Sequence, residues 1–138
     1  MSKEREFIKW FDGLQLKNFT AEEVLSYFNR KNNDIPPSNL WKNAVRVLQL
    51  VDMLRDKLGK PIRITSSYRS PAYNAGVGGA KRSQHLQFGA LDIQCMGASP
   101  NKVHTLLKKW RDAGVFKGGL KQYSTFVHFD TRGHNTTW

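Results

Sequence analysis

A chain of 138 residues, 39% hydrophobic and 12% aromatic, has material for one packed core and not for two, so a single domain over residues 1–138 is expected. Its 22 Lys and Arg against 11 Asp and Glu leave a formal charge of +11, which predicts attraction to polyanions: nucleic acid, anionic lipid or acidic envelope polymers. The basic residues are spread, as in Lys81-Arg82, Lys108-Lys109 and Lys117, and the lack of a long basic run argues against a dedicated nucleic-acid arm.

No apolar run approaches the ~20 residues needed to span a bilayer. Met1 to Glu6 alternates charge where a secretory signal would have an apolar core, so synthesis in the cytoplasm without a signal peptide is expected. The lone Cys95 cannot form an internal disulfide, and its apolar neighbours predict a buried, inert thiol. A monomer is expected.

In chain order, Glu4 to Phe11 is short and amphipathic, and Thr20-Ala21-Glu22-Glu23 is a capping-box sequence that predicts a helix to about Arg30. Phe7, Phe11, Phe19, Val24, Leu25 and Phe28 are expected to pack residues 1–37, as a helical N-terminal segment, onto the main domain. Asn32 to Pro37 is turn-rich, and Ser38 is read as the cap of a long helix ending at Gly59, with Leu40, Val47, Leu48, Val51, Leu54 and Leu58 at helical spacing. Pro61 to Ser66 alternates as a strand, and Tyr68-Arg69-Ser70-Pro71 turns out of it toward Gly76-Val77-Gly78-Gly79. That glycine loop lacks the Lys-Ser or Lys-Thr of a phosphate cradle. Gly89 to Cys95 reads as a second strand, and Ser99-Pro100 opens a helix to about Ala113 that stops at Gly114. Phe116 to Tyr123 and Phe126 to Thr131 read as a closing antiparallel pair. The fold class expected is α+β, a small antiparallel sheet packed with helices.

Asp92 stands alone among the small and apolar residues of Gly89 to Cys95, where an unpaired buried carboxylate would be costly and calls for a cation. On the strand Phe126 to Asp130, alternation projects His128 and Asp130 from one face. His85, Asp92 and His128 together are the residue types of a three-ligand zinc site with one open position, and Zn2+ is the expected cofactor. Zinc there would lower the pKa of a coordinated water to about 7 and polarise a peptide carbonyl.

Ser83-x-His85 with Gly89-Ala90-x-Asp92, followed by Val127-His128-Phe129-Asp130, resembles the zinc peptidases of the D-alanyl-D-alanine carboxypeptidase and phage L-alanyl-D-glutamate endopeptidase group, the peptidase M15-like enzymes whose fold is shared with the hedgehog signalling domain. The resemblance extends to Ile62 through Asn74, Val77 through Ala80 and Gly118 through Tyr123, and covers about Ser38 to Arg132. It implies a hedgehog/DD-peptidase-like fold and a hydrolase cutting peptidoglycan stem peptides at a bond that involves a D-amino acid. It also implies that Arg69 stands beside the metal, where it would hold a substrate carboxylate or stabilise the oxyanion. The chain departs from these families where many carry an acid three residues before the last histidine. It has Thr125 there, and Phe126 where others have a second histidine. The nearest acid, Asp130, is either the general base or a partner that orients a ligand histidine. Ser83 is assigned to the substrate or to its own turn, and Gln84 and Tyr123 to the cleft, while His104 and His134 are read as structural and exposed respectively.

The favoured function is a zinc peptidoglycan peptidase resembling a phage endolysin, made without a signal peptide and acting on the cell wall. The missing acid before His128 favours an alternative, a zinc-bearing wall-binding module without catalysis. An iron(II) oxygenase would also use two histidines and a carboxylate, but the order of these residues and the small size speak against it.

Overall fold

The computed structural model describes residues 2–138. Two short helices lead, α1 (Lys3–Asp12) and α2 (Ala21–Leu25), followed by the long α3 (Val45–Leu58). Strand β1 (Ile62–Ser66), helix α4 (Pro71–Gly76), strand β2 (Ala90–Cys95), helix α5 (Pro100–Asp112) and strands β3 (Leu120–Gln122) and β4 (Val127–Asp130) complete the order. The four strands form one antiparallel sheet in the order β1-β2-β4-β3, an α+β fold as the sequence predicted.

The register decides which residues share a face. Leu91 opposes Phe129 and Ile93 opposes Val127, and all four are buried in the hydrophobic core with Val47, Leu48 and Leu54 of α3 and Leu107 of α5. Asp92 opposes His128 and Ala90 opposes Asp130, so the other face of the same two strands carries the polar groups.

The N-terminal aromatics enter the same core. Phe7 packs edge-on to Phe28 and Trp41, with ring centroids 5.5 Å apart in each pair. Phe88 is fully buried among Phe7, Phe28 and Tyr68 at 6.0–6.3 Å.

Several elements differ from expectation. The capping box at Thr20 forms, yet α2 ends at Leu25 because Ser26 turns its hydroxyl back onto the Glu23 carbonyl, a local bond that competes with the helix. Ser38 does not cap α3: residues Ser38–Ala44 form a 3-10 helix after Pro37, tightened by the Trp41 indole N–H donating 2.8 Å to the Pro36 carbonyl. Helix α4 carries at Ser70-Pro71 the same start signal as α5 at Ser99-Pro100, and both serines accept from the third helical N–H. Cys95 is half-buried rather than buried, since it ends β2 at the rim of the core, and the burial it has raises its thiol pKa. Among the described residues no helix is long and apolar enough to cross a membrane.

Candidate metal centre

Three elements deliver the site. Asp92 sits in the middle of β2 with Ser66 of β1 on one side and His128 of β4 on the other, so the sheet register alone puts the carboxylate against one imidazole. His85 comes from the 3-10 turn Gln84–Gln87, whose start is capped by the Ser83 hydroxyl accepting from the His85 N–H. That turn closes through Phe88 in the left-handed region (φ 59°), an uncommon state for a bulky residue that the surrounding aromatic rings hold in place. His85, Asp92 and His128 are all buried, and one donor atom from each lies within 4.8 Å of the others.

Each ring has a partner on its outer nitrogen, and for His85 that partner fixes the tautomer, because a carbonyl can only accept. His85 Nδ1 donates to the Ser67 carbonyl at 2.6 Å, which leaves Nε2 facing Asp92 Oδ1 at 3.1 Å. His128 lies between two carboxylates, Nε2 2.8 Å from Asp130 Oδ2 and Nδ1 2.9 Å from the same Asp92 oxygen; with the ring proton on Nε2, toward Asp130, Nδ1 turns an electron pair to Asp92. With both rings neutral, three electron-pair donors converge with no hydrogen between them, an arrangement that only a cation or an extra proton relieves. The donor set and its outer partners therefore fit a metal ion.

Charge follows the same geometry. The extra proton is the metal-free alternative: burial would raise the Asp92 carboxyl, but hydrogen bonds that the facing nitrogens of His128 and His85 then donate outweigh it and hold the group far below the usual carboxylate range. Burial would lower His128, and its bonds to Asp130 and Asp92 raise it above the ordinary histidine value. Asp130 is fully buried; desolvation is outweighed there by His128, Arg132 and the Gly119 N–H, and its carboxyl is driven far down.

Asp130 is thus occupied on both oxygens. Oδ2 takes His128 and Arg132 Nη2 (2.7 Å), and Oδ1 takes the Gly119 N–H (2.8 Å) and Arg132 Nε (2.9 Å). The close approach requires Gly119, because a Cβ there would run into Asp130 Oδ2 and into the Arg132 guanidinium at 2.8 Å. Arg69 is likewise spread over three acceptors, Ser66 Oγ (3.1 Å), Asn74 Oδ1 (3.3 Å) and Asp92 Oδ2 (3.4 Å).

A cavity of about 560 Å³ opens over the triad. Arg69, Ser83, Gln84, His85, Asp92, Tyr123 and His128 all line it, whereas Asp130 lies behind His128 and does not. The structure therefore gathers every residue singled out in the sequence around one opening, with Asp130 one bond removed. His104 is half-buried on α5 and His134 is exposed, and neither lines the cavity.

Other participants were not read from the sequence. Arg132 had a signal, since it follows Asp130 by two residues and so falls on the same side of an extended chain. Trp138 had none: its ring lies edge-on to His128 at 5.1 Å, its N–H donates to the Tyr123 hydroxyl at 3.3 Å, and Arg132 stacks over it at 5.3 Å. Ser67 contributes a main-chain carbonyl, which no side chain announces.

The fold and centre define a class: a small α+β protein with a buried His-Asp-His site able to hold a metal ion at the foot of an open cleft. A family model described as Peptidase M15 matches residues 17–130, and the chain belongs to that family, which makes it a metallopeptidase by descent. A comparison with curated proteins returned no match.

Proposed function

We propose that the chain is a zinc-dependent peptidoglycan peptidase that cleaves a stem-peptide bond involving a D-amino acid, in the manner of a phage endolysin. The observation that carries this reading is the convergence of His85 Nε2, Asp92 Oδ1 and His128 Nδ1 beneath the cavity, with each ring's other nitrogen already committed, in a member of the peptidase M15 family. Those three atoms would hold zinc, which supplies Lewis acidity to polarise a peptide carbonyl and makes water a nucleophile at neutral pH. Arg69 keeps Asp92 Oδ2 turned away from that point and presents its guanidinium to the cleft, where developing negative charge on a substrate oxygen would meet it. Ser83 holds the turn that aims His85, and Gln84 and Tyr123 offer polar groups to the peptide. Of the two roles left open for Asp130, its hydrogen bonding fits the positioning one: it orients His128 and raises the ring's basicity. The +11 charge suits an acidic envelope as the place of action.

One observation favours a second reading. Among the described residues, Asp92 is the only acidic side chain that lines the cavity, so no Asp or Glu there is free to serve as general base. A wall-binding module that keeps the metal and lacks catalysis would show this pattern. Digestion of purified peptidoglycan, with the new termini identified by mass spectrometry, separates the two. New amino termini that vanish in His128→Ala support the peptidase; binding of zinc and wall with no new termini would establish the module.

A further inference from the structure

We propose that Arg82 selects substrates carrying a free carboxylate close to the scissile bond; this deepens the peptidase reading and rests on it. Three guanidinium groups line the cavity: Arg69, Arg82 and Arg132. Two of them are already committed. Arg69 is divided among Ser66, Asn74 and Asp92, and Arg132 is held in a two-bond fork by Asp130 with Trp138 against its plane. Arg82 is exposed at the cavity wall and makes no hydrogen bond or ion pair with another described residue.

The charge around the opening is not balanced from within. Asp92, the only acidic side chain among the described residues of the lining, already meets both histidines and Arg69, and Asp130 is consumed by Arg132 and His128. Among the described residues the cleft therefore presents one guanidinium without a protein partner, that of Arg82, and a metal ion on the triad would add to the excess. A guanidinium recognises a carboxylate through two parallel N–H bonds, a geometry that a neutral amide answers poorly. Arg82 also adjoins the reacting centre along the chain: it precedes Ser83, whose hydroxyl caps the turn that carries His85, so its backbone lies next to the turn that aims a metal-facing imidazole. An anionic group held by Arg82 would be placed relative to the metal point rather than merely attracted to the surface. The chemistry that fits is a stem peptide with its carboxylates free, as opposed to one whose carboxylates are amidated.

The test uses the zinc-loaded full chain with two muropeptide sets of the same sequence, one with free stem-peptide carboxylates and one with them amidated. The parent should prefer the acid set. Arg82→Ala should lower kcat/KM on that set by about 10-fold and remove most of the preference, and Arg82→Lys should keep only part of it, because a point charge replaces the fork. Zinc content and melting temperature, measured on each variant, should match the parent. Equal cleavage of both sets by the parent, or a parallel fall on both sets in Arg82→Ala, would overturn the assignment and leave the peptidase intact. A parent that releases no termini from either set fails at the earlier step, and the peptidase reading falls with it.

Discussion

The two histidines of the centre are held in opposite ways. On the side of residues 67–88, His85 hangs from a 3-10 turn, and its outer nitrogen is satisfied by a main-chain carbonyl, that of Ser67. On the side of residues 118–132, His128 projects from the middle of a sheet, and its outer nitrogen is satisfied by a side-chain carboxylate that is itself gripped by Arg132 and Gly119. A carbonyl acceptor is set by where the backbone runs, so no substitution of Ser67 removes it; its stability is the stability of the turn. A carboxylate acceptor is set by one side chain, and brings a charge that makes its imidazole more basic. The first half of the site depends on packing and the second on electrostatics.

Breaking the packed half should give the largest effect. Phe88 is fully buried, and it closes the His85 turn within the aromatic cluster. Phe88→Ala should cost about 3–5 kcal/mol of stability, read by denaturant unfolding of the metal-free protein, because it empties a core position. An unchanged midpoint would show that the cluster does not carry the turn.

Breaking the electrostatic half should spare the fold more and touch the metal first. Asp130→Asn keeps the shape but removes the charge, and zinc affinity should weaken about 10- to 100-fold with activity restored by excess metal. If zinc affinity holds while hydrolysis falls about 100-fold or more, Asp130 is the proton acceptor after all and the positioning role is wrong.

The two halves also differ in their response to pH, where the effect is graded. His128 lies above its ordinary value of 6.5 because, against the opposing effect of burial, Asp130 and Asp92 favour the charged ring. Metal ligation needs the neutral ring, so a proton competes: zinc affinity should decline as pH falls, beginning above the range of an unperturbed histidine. For the metal-free fold, a raised histidine adds stability below pH 6.5 that is lost as pH rises through the folded value. The lowered Asp92 and Asp130 act in the opposite sense, adding stability above their ordinary 3.8 that is lost on strong acidification. In Asp130→Asn the onset of proton competition should move to lower pH, and zinc titrations at a series of pH values would read it. An onset that stays put would detach His128 basicity from Asp130.

Much of this centre was legible in the chain. Period-two alternation put His128 and Asp130 on one side of a strand, and a lone carboxylate among apolar residues marked Asp92 as needing a cation, because those arguments use only local geometry and the cost of buried charge. Ser99-Pro100 marked a helix start for the same reason: capping is a bond between neighbours. The residue types of the candidate ligands, and with them the family, are likewise properties of the sequence. What the tertiary structure decided are the relations between distant segments: the order β1-β2-β4-β3, the Ser67 carbonyl behind His85, the Arg132 fork that takes Asp130 out of the cleft, and the indole of Trp138 against His128. These depend on how the backbone closes over long loops and on which donors reach a buried acceptor first, and neither is written in the spacing of residues along the chain.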